Sequence, residues 1–261
     1  MYLNKLKRKI KKCNKIENFY FLLKPLFQFF AFKPVLCLKQ YKYFFKTYYN
    51  FKKVKNPNFK KVEFYPCLFD NISYTPVDPV YFYQDTWFAE KIFKLKPKFH
   101  VDIGSHIKTI GILSKFVPII MVDIRPAKVK LENLTFLKAS ITNLPFKSSS
   151  LESISSLCVV EHIGLGRYGD PIDPFGTEKA ISELKRVIKV GGVIIISVPV
   201  DKENKIYFNA HRAFTREYIL NLFLDNCELI EEKYQYRNFL YYNYDPKKGF
   251  GTGMFMFRRI K

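Results

Sequence analysis

Residues 193–200, VIIISVPV, form an almost unbroken apolar run. A half-exposed strand alternates apolar and polar residues, whereas a run without alternation fits a central parallel strand covered on both faces. Parallel strands need long crossover connections, so this run constrains everything around it. The preceding TEKAISELKRVIKVGG supplies one: Ala180, Ile181, Leu184, Val187 and Ile188 share a helical face, Thr177 offers an N-cap, and Gly191 or Gly192 a stop. Upstream, FHVDI (99–103), VPIIMVD (117–123), LTFLKAS (134–140) and SISSLCVV (153–160) read as short strands, with a helix over 107–116 and another from about Tyr83 to Leu95. Downstream, a helix over 215–224, a strand near 228–236 and a last antiparallel strand in GTGMFMFRR are expected. The pattern predicts an open, mostly parallel α/β sheet whose ligands lie at the carboxyl ends of the strands.

Charge is distributed unevenly. Residues 1–61 carry 17 Lys/Arg against one acid, Glu17, out of a net charge of +21 for the chain. This sets a basic aromatic segment, 1–61, apart from a domain over 62–261. Within the segment, the apolar run at 19–38 follows a cluster of lysines and so resembles a signal sequence or anchor. Lys24-Pro25 and Lys33-Pro34 interrupt it, however, and both a central Lys and a Pro disfavour a membrane span. Lysines mixed with Tyr and Phe suit the surface of an anionic membrane, stacking on single-stranded nucleic acid, or packing with a solvated Lys face. The five scattered cysteines lack any C-x-x-C spacing, which fits reduced thiols in a cytoplasmic protein, with the basic segment suited to the inner face of the cytoplasmic membrane.

The stretch VVEHIGLGRYGDPIDPFG (159–176) gathers four of the eleven glycines, two prolines and two aspartates after the expected fourth strand. Such composition describes a shaped, irregular loop. Glu161, His162 and Asp170 are candidate bases there, and Arg167, beside Tyr168, is a candidate holder of an acidic or phosphate group. A second polar cluster, Asn209, His211 and Arg212, follows the fifth strand and should approach the same rim, with Asn209 and Arg212 joining Arg167 and Tyr168 as candidate substrate-binding residues, and His162 and His211 are the best candidates for a base that titrates near neutrality. The glycines 164, 166 and 169 spell G-x-G-x-x-G, but after the fourth strand instead of the first, where a dinucleotide fingerprint belongs. No H-x-x-x-H or comparable spacing points to a metal.

The order VDIGS (101–105), VDIRP (122–126), ASITNLPF (139–146), VVEHI (159–163) and ELKRVIKVGGVIIISVP (183–199) resembles class I S-adenosylmethionine-dependent methyltransferases, which have a Rossmann-like sheet. VVEHIGLGRYGDPIDP and FNAHR (208–212) look closer to a bacterial family of methyltransferase-like proteins of unknown function associated with surface-polysaccharide genes. The resemblance implies that Asp102, Gly104 and Ser105 form the turn at the methionine part of S-adenosylmethionine, and that Asp123 accepts the ribose hydroxyls. It places Ser140 and Ile141 at the adenine, and Val160 and Glu161 beside the sulfonium. Two departures stand out: His106 and Lys108 occupy the positions of the second and third motif glycines, and Ser140 replaces an acid.

The expected function is therefore methyl transfer to a glycan or other small-molecule acceptor, with a role in surface polysaccharide biosynthesis implied by the family association. Two alternatives stay open. The altered glycine loop fits a non-catalytic binding or scaffold protein, and the basic segment a nucleic-acid methyltransferase. Against the latter, VVEHI stands where an Asn/Asp-Pro-Pro-Tyr/Phe motif would be.

Overall fold

The computed structural model describes residues 34–54, 57–59, 62 and 64–261. The chain divides into two compact units, Met1–Pro76 and Val77–Lys261. Residues 19–33, most of the interrupted apolar run, lie outside the described residues. In the first unit, helix α1 (Pro34–Lys53) has Phe44 and Tyr48 one turn apart on the face that meets the ring of Phe64, at 5.9 and 4.6 Å. Among the described residues no helix is long and apolar enough to cross a membrane.

In the second unit, helix α2 (Pro79–Leu95) is capped by Asp78, whose carboxylate accepts from the Val80 amide, with Pro79 at its first position. The sheet then builds in chain order: β1 (His100–Ile103), β2 (Ile119–Asp123), β3 (Leu134–Lys138), β4 (Leu151–Leu157), β5 (Ile188–Val200), β6 (Lys205–Tyr207), β7 (His211–Ala213), β8 (Cys227–Tyr236), β9 (Phe239–Tyr241) and β10 (Gly251–Arg259). Helices α3 (Ile107–Leu113), α4 (Gly176–Val187) and α5 (Arg216–Phe223) connect them. The main sheet runs β3-β2-β1-β4-β5-β10-β8-β9, with β6 and β7 forming a separate hairpin. β1 to β5 pair in parallel, and β10 lies antiparallel between β5 and β8. The expected α/β sheet with its antiparallel last strand is present.

Both faces of β5 are covered, as its lack of alternation requires. On one face Ile194 and Ile196 pack with Ala180, Ile181 and Leu184 of α4 and with Phe223 of α5. On the other, Val193 and Ile195 join Trp87 and Phe88 of α2 and Ile110 and Leu113 of α3.

Three local expectations are corrected. β4 ends at Leu157, three residues early, because Cys158 takes a left-handed φ of +53° and Val160–His162 turn into a 3₁₀ helix. α4 begins at Gly176, so Thr177 is not its N-cap; its buried hydroxyl donates to the Val160 carbonyl at 2.8 Å. Gly191 (φ +78°) and Gly192 do not end that helix either, since β5 already begins at Ile188 and absorbs the glycines in an irregular register against β4. The short β6–β7 hairpin and β9 were not anticipated.

Candidate active site

The chain crosses over in opposite directions from β1, which lies between β2 and β4. Ligand crevices form at such a switch point, outside the carboxyl ends of the strands. A cleft of about 560 Å³ opens there, and its lining includes Gly104 after β1, Asp123 at the end of β2, and Glu161, His162 and Arg167 after β4. A smaller cavity of about 140 Å³ shares Gly104, Asp123 and His162 and adds Ser140 and Ile141 after β3. Gly104 and His211, 107 positions apart, thus meet in one cleft.

The turn after β1 is held from below by a buried polar chain. Asp102 is fully buried and accepts the Ser105 amide at 3.0 Å, the Ser105 hydroxyl at 2.6 Å and the Ser155 hydroxyl at 2.5 Å. Because Ser155 donates to Asp102, it accepts from His100 Nε2 at 2.8 Å, and His100 Nδ1 then accepts from Ser153 at 2.8 Å. The tautomer of His100 follows from this order of donors. Burial lowers the His100 pKa to about 3 and raises that of Asp102 to about 6, so near neutrality the ring is uncharged and the carboxylate ionised. Asp102 therefore shapes the turn and does not line the cleft. Ser105 does both: it reaches the cleft while its hydroxyl also accepts the Leu157 amide at 3.1 Å.

Above that chain, Gly104 has φ +64°, a conformation costly for any side chain, and a β-carbon there would lie 3.6 Å from Asp123 Oδ2. Asp123 Oδ1 accepts the Arg125 amide at 2.6 Å. The other oxygen has no protein donor among the described residues and is free to accept a ligand hydroxyl. Ser140 pairs with Thr142 at 2.8 Å, and Ile141 forms an apolar wall. Val160, expected beside a ligand, is buried in the core; its neighbour Val159 faces the smaller cavity instead. His106, at the position of the second motif glycine, precedes α3, and its ring lies 5.2 Å from that of Tyr81 of α2.

The glycine-rich loop closes on itself. Asp170 accepts the amides of Gly164 at 2.7 Å, Tyr168 at 3.2 Å and Gly166 at 3.4 Å. Desolvation opposes its ionisation, but these amides outweigh it and hold its carboxyl below the usual range. Asp170, expected as a base, is thus the internal brace of the loop. A β-carbon on Gly164 would sit 2.0 Å from the Asp173 carbonyl, so close backbone approach requires the glycine. Arg212 is a second correction: buried, it donates to the carbonyls of Ile163 at 2.6 Å, Asp173 at 3.2 Å and Pro174 at 3.3 Å, and fastens the loop from behind. Asn209 sits exposed, with φ +63°, in the turn of the β6–β7 hairpin and outside the cleft lining.

Three expected residues do meet in the cleft with different chemistry. His162 Nδ1 donates to the Ala210 carbonyl at 2.6 Å, leaving the Nε2 lone pair 3.6 Å from Glu161 Oε1; desolvation lowers its pKa to about 4. Glu161 is fully buried, its Oε2 has no hydrogen-bond partner, and burial raises its pKa to about 8, so it keeps its proton at neutrality. His211 lies between the rings of Tyr207 and Phe250, at 5.1 and 5.5 Å, and its pKa is lowered by desolvation and then by Arg167. No hydrogen bond occupies its nitrogens among the described residues, and no cluster of three His, Cys, Asp or Glu side chains there could hold a metal.

Sequence reasoning missed Tyr81 of α2, and Phe250 and Thr252 at the start of β10. The antiparallel pairing of Thr252 with Pro199 brings the beginning of β10 to the carboxyl end of β5. The expected antiparallel last strand was the signal for this.

Solved structures share this fold. A candidate sarcosine dimethylglycine methyltransferase from Galdieria sulphuraria matches with a TM-score of 0.51 at 15% identity, over 69% of this chain and 86% of that one. A candidate methyltransferase from Bacillus halodurans matches at 0.50 and 12%, over 66% and 99%. The chain has the class I methyltransferase fold. The [4+2]-cyclase SpnF matches equally well, at 0.50 and 10% over 67% and 81%, so the fold alone does not fix the reaction. Residues 129–236 match a family model described as a Caenorhabditis protein of unknown function, DUF268. No curated protein matches the chain in sequence.

Proposed function

We propose that the protein transfers a methyl group from S-adenosylmethionine to a small-molecule acceptor, a glycan being the class implied by the family resemblance. The observation that carries this reading is the convergence of Gly104, Asp123 and His211 on one cleft. The residues fit the cofactor: Asp123 has a free carboxylate oxygen for vicinal hydroxyls, Gly104 allows close backbone approach, and Ser140 with Ile141 offers a mixed polar and apolar pocket for a base. When bound, the cofactor supplies an electrophilic methyl on a sulfonium.

The chain's own part is to orient the acceptor and take its proton. His211 suits the second task better than His162, whose Nδ1 is committed to Ala210 and whose conjugate acid lies too low to retain a proton. Glu161, protonated at neutrality, suits hydrogen-bond donation to the acceptor and not proton abstraction.

Calorimetric titration with S-adenosylmethionine and S-adenosylhomocysteine tests the reading. Saturable binding that Asp123→Ala loses, at unchanged thermal stability, is expected. No binding by the folded protein would leave a non-catalytic recognition domain.

A further inference from the structure

Arg125, after β2, and Arg167, after β4, come from opposite sides of the switch point and both lie against one ring, that of Tyr168, at 4.3 and 5.0 Å from its centroid. All three line the cleft. The side chain of Arg125 makes no hydrogen bond or ion pair among the described residues, and Arg167 donates only through Nη1, to the Ala210 carbonyl at 3.0 Å. This sets them apart from Arg186, Arg216 and Arg258, each of which pairs with a carboxylate. Neither makes an ion pair with a neighbouring acid among the described residues. Asp170 is engaged by three amides, Asp123 by the Arg125 amide, and Glu161 is protonated near neutrality. The positive field of Arg167 is felt by both His162 and His211, whose protonation it opposes after desolvation.

A guanidinium stacked on an aromatic ring is held in plane, with its N–H edges directed outward. Two such groups with free edges make a preorganised fork for a tetrahedral or planar oxyanion. We propose that Arg125 and Arg167, braced on Tyr168, form an anion subsite at the cleft, and that the acceptor carries a phosphate or carboxylate that docks there. That the anion belongs to the acceptor rests on the methyl-transfer reading; the subsite itself does not. Held by the fork, such an acceptor presents its hydroxyl or amine to His211, which the same loop and hairpin place in the cleft.

The test is a ligand-observed NMR titration of the full chain, in a buffer free of phosphate and carboxylate, with glucose 6-phosphate, galacturonate and glucose. The expected result is saturable binding of one or both anionic sugars and none of glucose, which also tells phosphate from carboxylate. Arg125→Gln and Arg167→Gln, both at exposed positions, each weaken binding by about tenfold. Tyr168→Phe retains it, and Tyr168→Ala loses most of it. Equal binding of glucose, wild-type binding by the double Arg variant, or no anion binding by a protein with unchanged thermal stability overturns the subsite. Adding S-adenosylhomocysteine separates the remaining questions. Displacement of the bound sugar by it assigns the anion to the cofactor side and overturns the acceptor role, whereas simultaneous binding supports it. Failure of S-adenosylhomocysteine to bind while the sugar phosphate still does sinks the methyl-transfer reading and leaves the subsite standing.

Discussion

Asp102, next to last in β1, and Asp123, last in β2, do different work. Three donors converge on the buried Asp102 carboxylate, so Asp102→Ala strands the Ser105 amide and two hydroxyls without an acceptor. We expect a loss on the order of 3 kcal/mol in urea unfolding, against less than about 1 kcal/mol for Asp123→Ala; equal losses would contradict the division of roles. Glu161 offers a pH signature. Its folded pKa of about 8 lies above its ordinary value of 4.5, so between these limits the native state binds more protons than the unfolded chain. Stability then falls as pH rises through that window, and the cost is fully developed only above about 8. Glu161→Gln removes the cost and should raise the unfolding free energy more at pH 8 than at pH 5, by an amount on the order of 2 kcal/mol at the higher pH. An equal gain at both would mean that Glu161 is already ionised at neutrality. Sequence located both aspartates, Glu161 and the two histidines, but the direction a side chain takes from a strand end depends on the next strand. Nothing in VDIGS reveals that Ser155 and His100 complete a buried chain beneath it.

The loop from Ile163 to Gly176 was legible as irregular, and its composition was read as a surface for a ligand. Most of that composition instead serves closure: Asp170 collects the amides from within, Gly164 admits the Asp173 carbonyl, and Arg212 fastens three carbonyls from behind. Of the loop, only Arg167 and Tyr168 line the larger cleft, along with His162. Arg212→Ala should therefore expose the loop to trypsin at Arg167, raising the cleavage rate on the order of tenfold while the sheet stays folded. Arg212→Lys should rescue little, since one ammonium cannot span the three carbonyls that a guanidinium bridges. A loop as resistant in the Ala variant as in the wild type would show that Asp170 suffices. The longer elements were readable because burial on both faces of β5 and one face of α4 leaves a periodic signal. The three-residue strands β6, β7 and β9 are too short to carry any period, and their pairing is decided by neighbours distant in sequence.

At the scale of the whole molecule, charge separates as the units do. Residues 1–76 hold 17 Lys/Arg and three Asp/Glu, while residues 77–261 hold 27 and 20. The complete β3-β2-β1-β4-β5-β10-β8-β9 sheet and both faces of its core lie within Val77–Lys261. That fragment should consequently unfold in one cooperative transition and bind S-adenosylhomocysteine as the full chain does. The first unit then has a separate task to account for. On α1, Lys39, Lys42, Lys46 and Lys53 follow one helical stripe, while Tyr41, Phe45 and Phe51 stay partly exposed around the face that meets Phe64. Cations beside exposed rings match a lipid head-group layer over its acyl boundary, with attraction that salt screens. The full chain is expected to sediment with vesicles containing phosphatidylserine at low salt, to be released at high salt, and to ignore neutral vesicles, whereas Val77–Lys261 ignores both. Salt-sensitive RNA binding by the full chain without vesicle binding would assign the same charges to nucleic acid. In either case the cleft, built wholly from the second unit, would keep its chemistry while the first unit decides where that chemistry takes place.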